Sequence, residues 1–308
     1  MYCGLCLTGC PYDLIYNSSL TLGALQQQAS FRYVPGVIVR KLREANGGVD
    51  IEADGRTGGP KQRFSASRVF LGGGVLSTTK IVLDSLEAHG HELVMKQSQY
   101  FAFPWLRYRP TPGVDGERLH ALAQAFIEVR DPSLSERTIH LQVYTYNDLY
   151  WRAFGPAAGS AAGRRLLGSL MSRLLYVQGY LHSDISSTIA VRLIADDGDT
   201  RLRLDARPDG RGADIIRRLV GTIAAARRDF RAVPLRPLLV IGRPGAGSHA
   251  GGTLAMRRTP GPFESDALGR PTGFSNVHVI DASCLPSLPA TTQTLTVMAN
   301  AHRIGSTA

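Results

Sequence analysis

The feature that most constrains how this chain can fold is a repeated alternation of apolar and polar residues through its middle. Between about Gln97 and Arg243 the segments "AQAFIEVRD", "TIHLQVYTYNDLY", "VQGYLHSDISSTIAVRLIA" and "TRLRLDAR" alternate with a period of two. That is the spacing that sends successive side chains to opposite faces of a pleated strand. The block predicts an antiparallel sheet. Two segments of helical periodicity, "GRRLLGSLMSRLLY" and "GADIIRRLVGTIAAARRDF", interrupt it, and they predict amphipathic helices on one face of that sheet. For the first, contact with a membrane surface is an alternative reading of the same pattern.

The flanks have a different texture. Near the start, "TLGALQQQ" is helical in character, and "VPGVIVRKL", "GVDIEAD" and "RFSASRVFLGG" alternate between glycine-rich turns, which predicts a small antiparallel meander. The meander runs into Gly72, Gly73 and Gly74, then Ser77, Thr78 and Thr79, then the apolar-periodic "KIVLDSLEAH". A strand that ends in a glycine turn and opens a helix can present backbone N–H groups to a phosphate or a cofactor edge. Towards the end come a short strand in "NVHVID", a proline-punctuated loop and a helix from about Gln293.

With 308 residues and 44% hydrophobic content, the chain can build one large or two ordinary domains. The formal net charge of +10 does not predict nucleic-acid binding, because the arginines are scattered through amphipathic segments and lysine occurs only at 41, 61, 80 and 96. No run approaches the roughly 18 apolar residues of a membrane span, and the start lacks the basic region and apolar stretch of a signal peptide. The expected compartment is therefore the cytoplasm. Four cysteines are too few for a disulfide scaffold.

Three of them, Cys3, Cys6 and Cys10, form C-x2-C-x3-C-P, without the fourth cysteine of the bacterial ferredoxin run. A three-iron cluster, a zinc site lacking its fourth ligand and a reduced structural loop are the readings open to this motif. A second glycine motif, "GAGSHA" from Gly245 to Ala250, satisfies G-x-G-x-x-A. The stretch after it, "AGGTLAMRRTPG", carries two more glycines and a proline and cannot open a helix, so the dinucleotide reading is rejected. What remains is His249, displayed on a loop whose glycines let the backbone approach a flat ligand closely.

The C-terminal residues form an ordered series: His249, Gly252, Thr253 and Met256; Gly269 and Arg270; Asn276, Val277, Val279, Asp281, Ala282, Ser283 and Pro286; Pro289, Thr294, Thr296, Met298 and Ala299. This series resembles the C-terminal signature of the glucose-methanol-choline (GMC) family of FAD-dependent oxidoreductases. "SRVFLGGGVLSTTKIVLDS" is similar to the family's strand, turn and helix beside the flavin, and the cysteine motif resembles a loop that several bacterial members carry.

The resemblance implies an α/β (α+β) fold: an incomplete Rossmann-like FAD-binding domain over residues 1–95, an antiparallel-sheet substrate domain with helices on one face over 96–243, and a return to the FAD domain over 244–308. It also implies oxidation of a CH–OH group of a small alcohol or sugar, by a dehydrogenase or an oxidase. In that scheme His249 accepts the hydroxyl proton while hydride leaves for flavin N5, and Thr292 stands where the family places a second His or Asn. A threonine hydroxyl can donate a hydrogen bond there but cannot serve as a base. Gly73 and Gly74 would pass beside the flavin, Asp281 and Ala282 would lie near the ribityl or pyrophosphate, and the backbone at Thr292, Gln293 and Thr294 near the pyrimidine edge. Because the family's strand, G-x-G-x-x-G turn and helix are not seen before the cysteine motif, the reading expects an N-terminally truncated chain that binds FAD poorly alone. Two alternatives stand beside it, a catalytically inactive binding or assembly subunit and an iron-sulfur-assisted sugar dehydrogenase. Aromatics in "YFAFPWLRYRP" and "YTYNDLYW" could line a sugar or apolar alcohol pocket or fill the core. Cys284 is expected to be a buried free thiol, His278 structural, and Asn300 and His302 on a helix surface.

Overall fold

A computed structural model describes residues 3–56, 58–114, 120–145, 147 and 160–308, with backbone alone at 164–166. In chain order its elements are helix α1 (Ser18–Leu25), strands β1 (Val37–Ala45), β2 (Gly48–Gly55), β3 (Gly59–Ala66) and β4 (Val69–Leu71), and helix α2 (Val75–Ser85). Strands β5 (Glu92–Gln97), β6 (Tyr100–Arg107), β7 (Ala125–Val129) and β8 (Ile139–Tyr144), helix α3 (Ala161–Met171), strands β9 (Leu174–Tyr180), β10 (Thr188–Asp196) and β11 (Asp199–Arg207) follow. The chain continues with helices α4 (Gly210–Ala225) and α5 (Arg227–Phe230) and strands β12 (Ala232–Pro234), β13 (Val240–Ile241), β14 (Ala250–Gly251) and β15 (Val277–Val279), and ends in helix α6 (Thr294–Thr307). The fold is mixed α/β, with antiparallel sheets and few helices. Among the described residues no helix is long and apolar enough to cross a membrane.

Two compact units are formed by interleaved stretches of chain, one from residues 1–33, 100–180 and 213–241, the other from 34–99, 181–212 and 242–308. The first is built on an antiparallel sheet of order β12-β6-β9-β8-β7, with β13 also on β6. Its Phe101, Phe103, Leu141 and Val177 are buried on one face. Gly179 lies under the Phe101 ring, where an added Cβ would come within 2.1 Å of Cζ. Trp105 meets Phe230 of α5 edge-on at 5.0 Å.

The second unit holds the meander β1-β2-β3, the four-stranded sheet β11-β10-β5-β14 and the parallel pair β15-β4. Its core includes Val82 and Leu83 of α2, Leu193, Leu254, Val277 and Val279, all fully buried. Burial of side chains of this size stabilises by about 1.5–3 kcal/mol each.

The predicted meander, the strand in "NVHVID" and the last helix are present as β1–β3, β15 and α6. Two middle segments depart from expectation. "GRRLLGSLMSRLLY" is helical only to Met171, because Leu174–Tyr180 pairs with both β6 and β8, and those ladders outweigh local periodicity. "VQGYLHSDISSTIAVRLIA" is not one strand. β9 ends at Tyr180, a 3-10 turn spans Ser183–Ile185, and the hairpin β10–β11 pairs with β5 in the other unit. The middle block therefore does not form a single sheet. Residues 146 and 148–150 of "TIHLQVYTYNDLY", and most of "YTYNDLYW", lie outside the described residues.

Candidate functional site

The second unit gathers six of the eight predicted catalytic and cofactor residues through a chain of short bonds, with Thr292 and Thr294 on either side of Gln293. At the mouth of α2, Gly74 has φ of 85° and donates its N–H to Asp281 Oδ2 at 2.9 Å. Thr78 Oγ1 donates to the same carboxylate oxygen at 2.5 Å and accepts from the Gly73 N–H at 3.1 Å. A carboxylate at a helix N-terminus is stabilised by the exposed N–H groups and the helix dipole. Asp281 also accepts the Ser283 N–H on Oδ1 at 2.8 Å and so caps the short 3-10 turn Ala282–Cys284.

That turn lies beside the loop after His249. Ala282, Ser283 and Cys284 carbonyls accept the N–H groups of Gly252, Leu254 and Met256 at 2.8–2.9 Å. The approach is close enough that a Cβ on Gly251 would lie 2.4 Å from Ala282 O, so this position admits no side chain. Thr253 Oγ1 meets Thr79 Oγ1 of α2 at 2.7 Å in the buried interior.

His249 itself is half-buried. Its carbonyl accepts the Ser98 N–H at 3.1 Å, and β14 immediately after it pairs with Gln97 and Lys96. Gln293 Nε2 donates to Ala250 O at 3.3 Å, which brings the stretch 292–294 to the histidine loop. Thr292 and Thr294 are exposed, and α6 begins at Thr294 without a side-chain cap. Helix termini without caps leave backbone N–H groups for other acceptors.

Sequence reasoning missed the residues that hold this loop. Gln97, Ser98 and Gln99 are three consecutive polar residues, all buried. Gln97 Oε1 accepts the Gly245 N–H at 2.7 Å, Ser98 Oγ donates to Pro289 O at 2.8 Å, and Gln99 Nε2 donates to Gly242 O at 3.4 Å. The tripeptide thus ties the start and end of the histidine loop, and the proline loop before α6, to the end of β5. The signal was present as "QSQ" between two apolar strands, a place where polar side chains are buried only if they have partners.

The remaining expectations can be placed. Cys284 is fully buried, and its thiol is pushed up to about 12 by burial, with the Asp281 charge adding to the shift. His278 is buried, stacked on Phe70, with Nδ1 2.9 Å from Leu268 O. Asn300 bonds Cys284 Sγ at 3.5 Å and His302 is exposed on α6. "GAGSHA" opens no helix.

Cys3, Cys6 and Cys10 are free thiols of the first unit, and among the described residues no three His, Cys, Asp or Glu side chains are placed to hold a metal. The loop is drawn out: Leu7 N donates to His120 O, Gly4 O accepts the His120 N–H, both at 2.7 Å, and Gly4 and Gly9 have positive φ on either side of the 3-10 turn Cys6–Thr8. An iron-sulfur centre on these residues has no support.

A helix-opening glycine turn, a histidine on a glycine-rich loop and an uncapped helix start are brought together in one unit. Residues 190–301 match the family model described as GMC oxidoreductase. The structure of the chain is similar to pyridoxine 4-oxidase from Mesorbium loti, with a TM-score of 0.56 and 18% identity over 88% of this chain and 56% of that one. It is also similar to an FAD-dependent oxidoreductase from Chaetomium thermophilum, with a TM-score of 0.54 and 14% identity over 92% and 62% of the two chains. Formate oxidase from Aspergillus oryzae gives 0.54 and 15% over 89% and 60%. At these identities the likeness is one of fold, and the chain spans 56–62% of the length of these structures. No curated protein sequence matches it significantly.

The residues present fit one part of FAD. The uncapped start of α6 offers backbone donors, and the Gln293 Oε1 beside it is buried without a partner, an acceptor and donor set suited to a pyrimidine edge. The α2 turn does not offer a ready phosphate cradle, because the Gly73 and Gly74 N–H groups are already taken by Thr78 and Asp281.

Proposed function

We propose that this chain carries the proton-accepting and flavin-edge residues of an oxidoreductase acting on a CH–OH group of a small alcohol or sugar. The observation that supports the reading is the bond from Gln293 to Ala250, which ties the stretch 292–294 to the loop of His249 in a chain whose residues 190–301 match the GMC oxidoreductase model. His249 takes the hydroxyl proton on its imidazole, a neutral base near neutral pH, while the C–H bond breaks and its hydride and electron pair leave, so that the alcohol becomes a carbonyl. Bound FAD would supply the acceptor for that hydride. Thr292 donates a hydrogen bond to the same substrate oxygen and holds it towards His249. Gln293 and Thr294 would hold the pyrimidine edge, and Gly74, Asp281 and Ala282 would support the backbone beside it. The Gln97–Gln99 tripeptide fixes the loop and keeps the imidazole placed.

His249→Ala in the protein that carries this sequence should slow anaerobic flavin reduction by a small alcohol or sugar by about 10²–10⁴-fold. Reduction at the unaltered rate, with the circular dichroism unchanged, would refute the role. An inactive binding subunit is the second reading, favoured by the engagement of the Gly73 and Gly74 amides. It predicts that the unaltered protein shows no flavin reduction by any such donor.

A further inference from the structure

Helix α4 and the chain from Arg236 to Ile241 border a groove that lies wholly within the first unit. Arg217 and Val220 of α4, Arg236 and Pro237 of a 3-10 turn, and Leu239 and Ile241 line a space of about 810 Å³. That size falls within the range of small-molecule sites.

The local structure fixes what the groove presents. α4 is amphipathic, with Ile216, Leu219, Val220 and Ile223 buried. Arg217 and Val220 are three residues apart and share one side of the helix, so the border of its apolar stripe meets the groove with a guanidinium beside it. On the facing wall Leu235 N donates to Pro104 O at 2.9 Å. The turn Arg236–Leu238 is closed by Leu238 N on Leu235 O at 2.9 Å and by Leu239 N on Arg236 O at 3.1 Å. The alternation that follows turns Leu239 and Ile241 to the groove and leaves Val240 exposed.

The charges are of one sign. Among the described residues no carboxylate lines the groove. The Arg236 side chain is exposed and has no partner among the described residues. Arg217 meets Asp214 at 2.8 Å, but both side chains are largely exposed, where such a pair contributes little. A guanidinium also carries five N–H donors, so Arg217 keeps some for a ligand.

Between these cations the side chains of Val220, Pro237, Leu239 and Ile241 offer only hydrocarbon. A polar body would give up its hydrogen bonds to water there without replacement. A cation would meet two guanidinium groups, and a neutral hydrocarbon would leave both unused. The complement of this groove is a hydrocarbon chain that ends in a carboxylate, the group a guanidinium binds through two parallel N–H···O bonds.

We infer that the groove between α4 and β13 binds a single-chain aliphatic carboxylate. Binding there involves neither flavin nor turnover, so the inference stands apart from the reaction proposed above. The test is calorimetric titration of the 308-residue chain with octanoate, and in parallel with 1-octanol, acetate, octyltrimethylammonium and phosphatidylglycerol vesicles. Octanoate is expected to bind saturably, at least about tenfold more tightly than any of the other four, because only it satisfies both the charge and the apolar floor. Arg236→Gln should weaken octanoate at least about tenfold, as loss of a hydrogen bond to a charged group does. Since Arg236 is exposed and without a partner among the described residues, that change leaves the fold intact. Leu239→Ser should weaken octanoate severalfold through lost apolar contact.

The absence of saturable octanoate binding, binding of any of the other four probes as tight as that of octanoate, or an affinity unchanged by either substitution overturns the proposal.

Discussion

At Gly251 one missing methyl decides whether two loops can pack. A Cβ there would lie 2.4 Å from Ala282 O and 2.9 Å from Leu288 Cδ2, and backbone cannot move aside as a flexible side chain can. Gly251→Ala is expected to lower stability by about 1–3 kcal/mol, the usual cost of forcing extra volume into a packed site, read as a fall in the urea midpoint with an unchanged slope. The cysteines separate in the opposite way. The Cys10 thiol is half-buried and held below its ordinary pKa by backbone N–H groups, first that of Tyr12 and then that of Ile15, whereas burial pushes the Cys284 thiol up to about 12. Since the thiolate is the nucleophile, iodoacetamide at neutral pH should alkylate Cys10 readily and leave Cys284 intact until denaturant is added, as mass spectrometry of peptides would show. Labelling of Cys284 in the native protein would contradict the burial.

Among the elements, the junction between β5 and β6 carries more of the site than any helix. Gln97→Leu removes the acceptor of the Gly245 N–H. The expected cost is about 1–3 kcal/mol for a buried donor left unmet, with faster hydrogen exchange at the Gly245 amide. Unchanged exchange there would show that the loop does not depend on Gln97. The loop from Arg257 to Thr272 is held by ion pairs, Arg257 with Glu264 and Arg270 with Asp266. Burial pushes the Asp266 carboxyl up, but the Arg270 side chain and the N–H groups of Arg270 and Leu268 outweigh it and hold the group below the usual carboxylate range. A folded-state pKa below the unfolded value of about 3.9 gives stability that is complete above that pH and lost as pH falls through the folded value. Thermal unfolding between pH 2 and 5 should therefore show a steeper acid decline in the native protein than in Asp266→Asn.

For the whole molecule, the disposition of the glycine turns bears on which part of FAD the proposed site would hold. The donor set at α6 fits a flavin edge, and the α2 glycine amides are already engaged. The 308-residue chain should then bind riboflavin and FAD with dissociation constants within about threefold of each other, because phosphate affinity comes from free N–H groups at a helix start. Equilibrium dialysis giving FAD an advantage of about a hundredfold would show a phosphate site elsewhere in the chain. The two units also account for the middle of the sequence not forming one sheet. Leu181, between β9 and the 3-10 turn, is where the chain leaves one unit for the other, and no glycine or proline stands between Gly179 and Pro208 except Gly198 in the hairpin turn.

Local patterns alone determined the meander, the glycine turn that opens α2, the exclusion of "GAGSHA" as a helix-opening turn and the ordered C-terminal series that resembles the GMC signature. Each is set by residues near one another in sequence, through period, turn chemistry and backbone freedom. Only the tertiary structure decided that Asp281 closes over the Gly74 and Thr78 groups from about 200 residues away, that Gln97, Ser98 and Gln99 hold the histidine loop, and that the three N-terminal thiols do not converge. It also sorted the aromatics: in "YFAFPWLRYRP" Phe101, Phe103 and Trp105 went to a core face while Tyr100 joined Tyr144, Tyr176 and Tyr180 on the other. Period two fixes that neighbours point opposite ways. Which of the two faces meets the core depends on what packs against the sheet, and no local pattern carries that information.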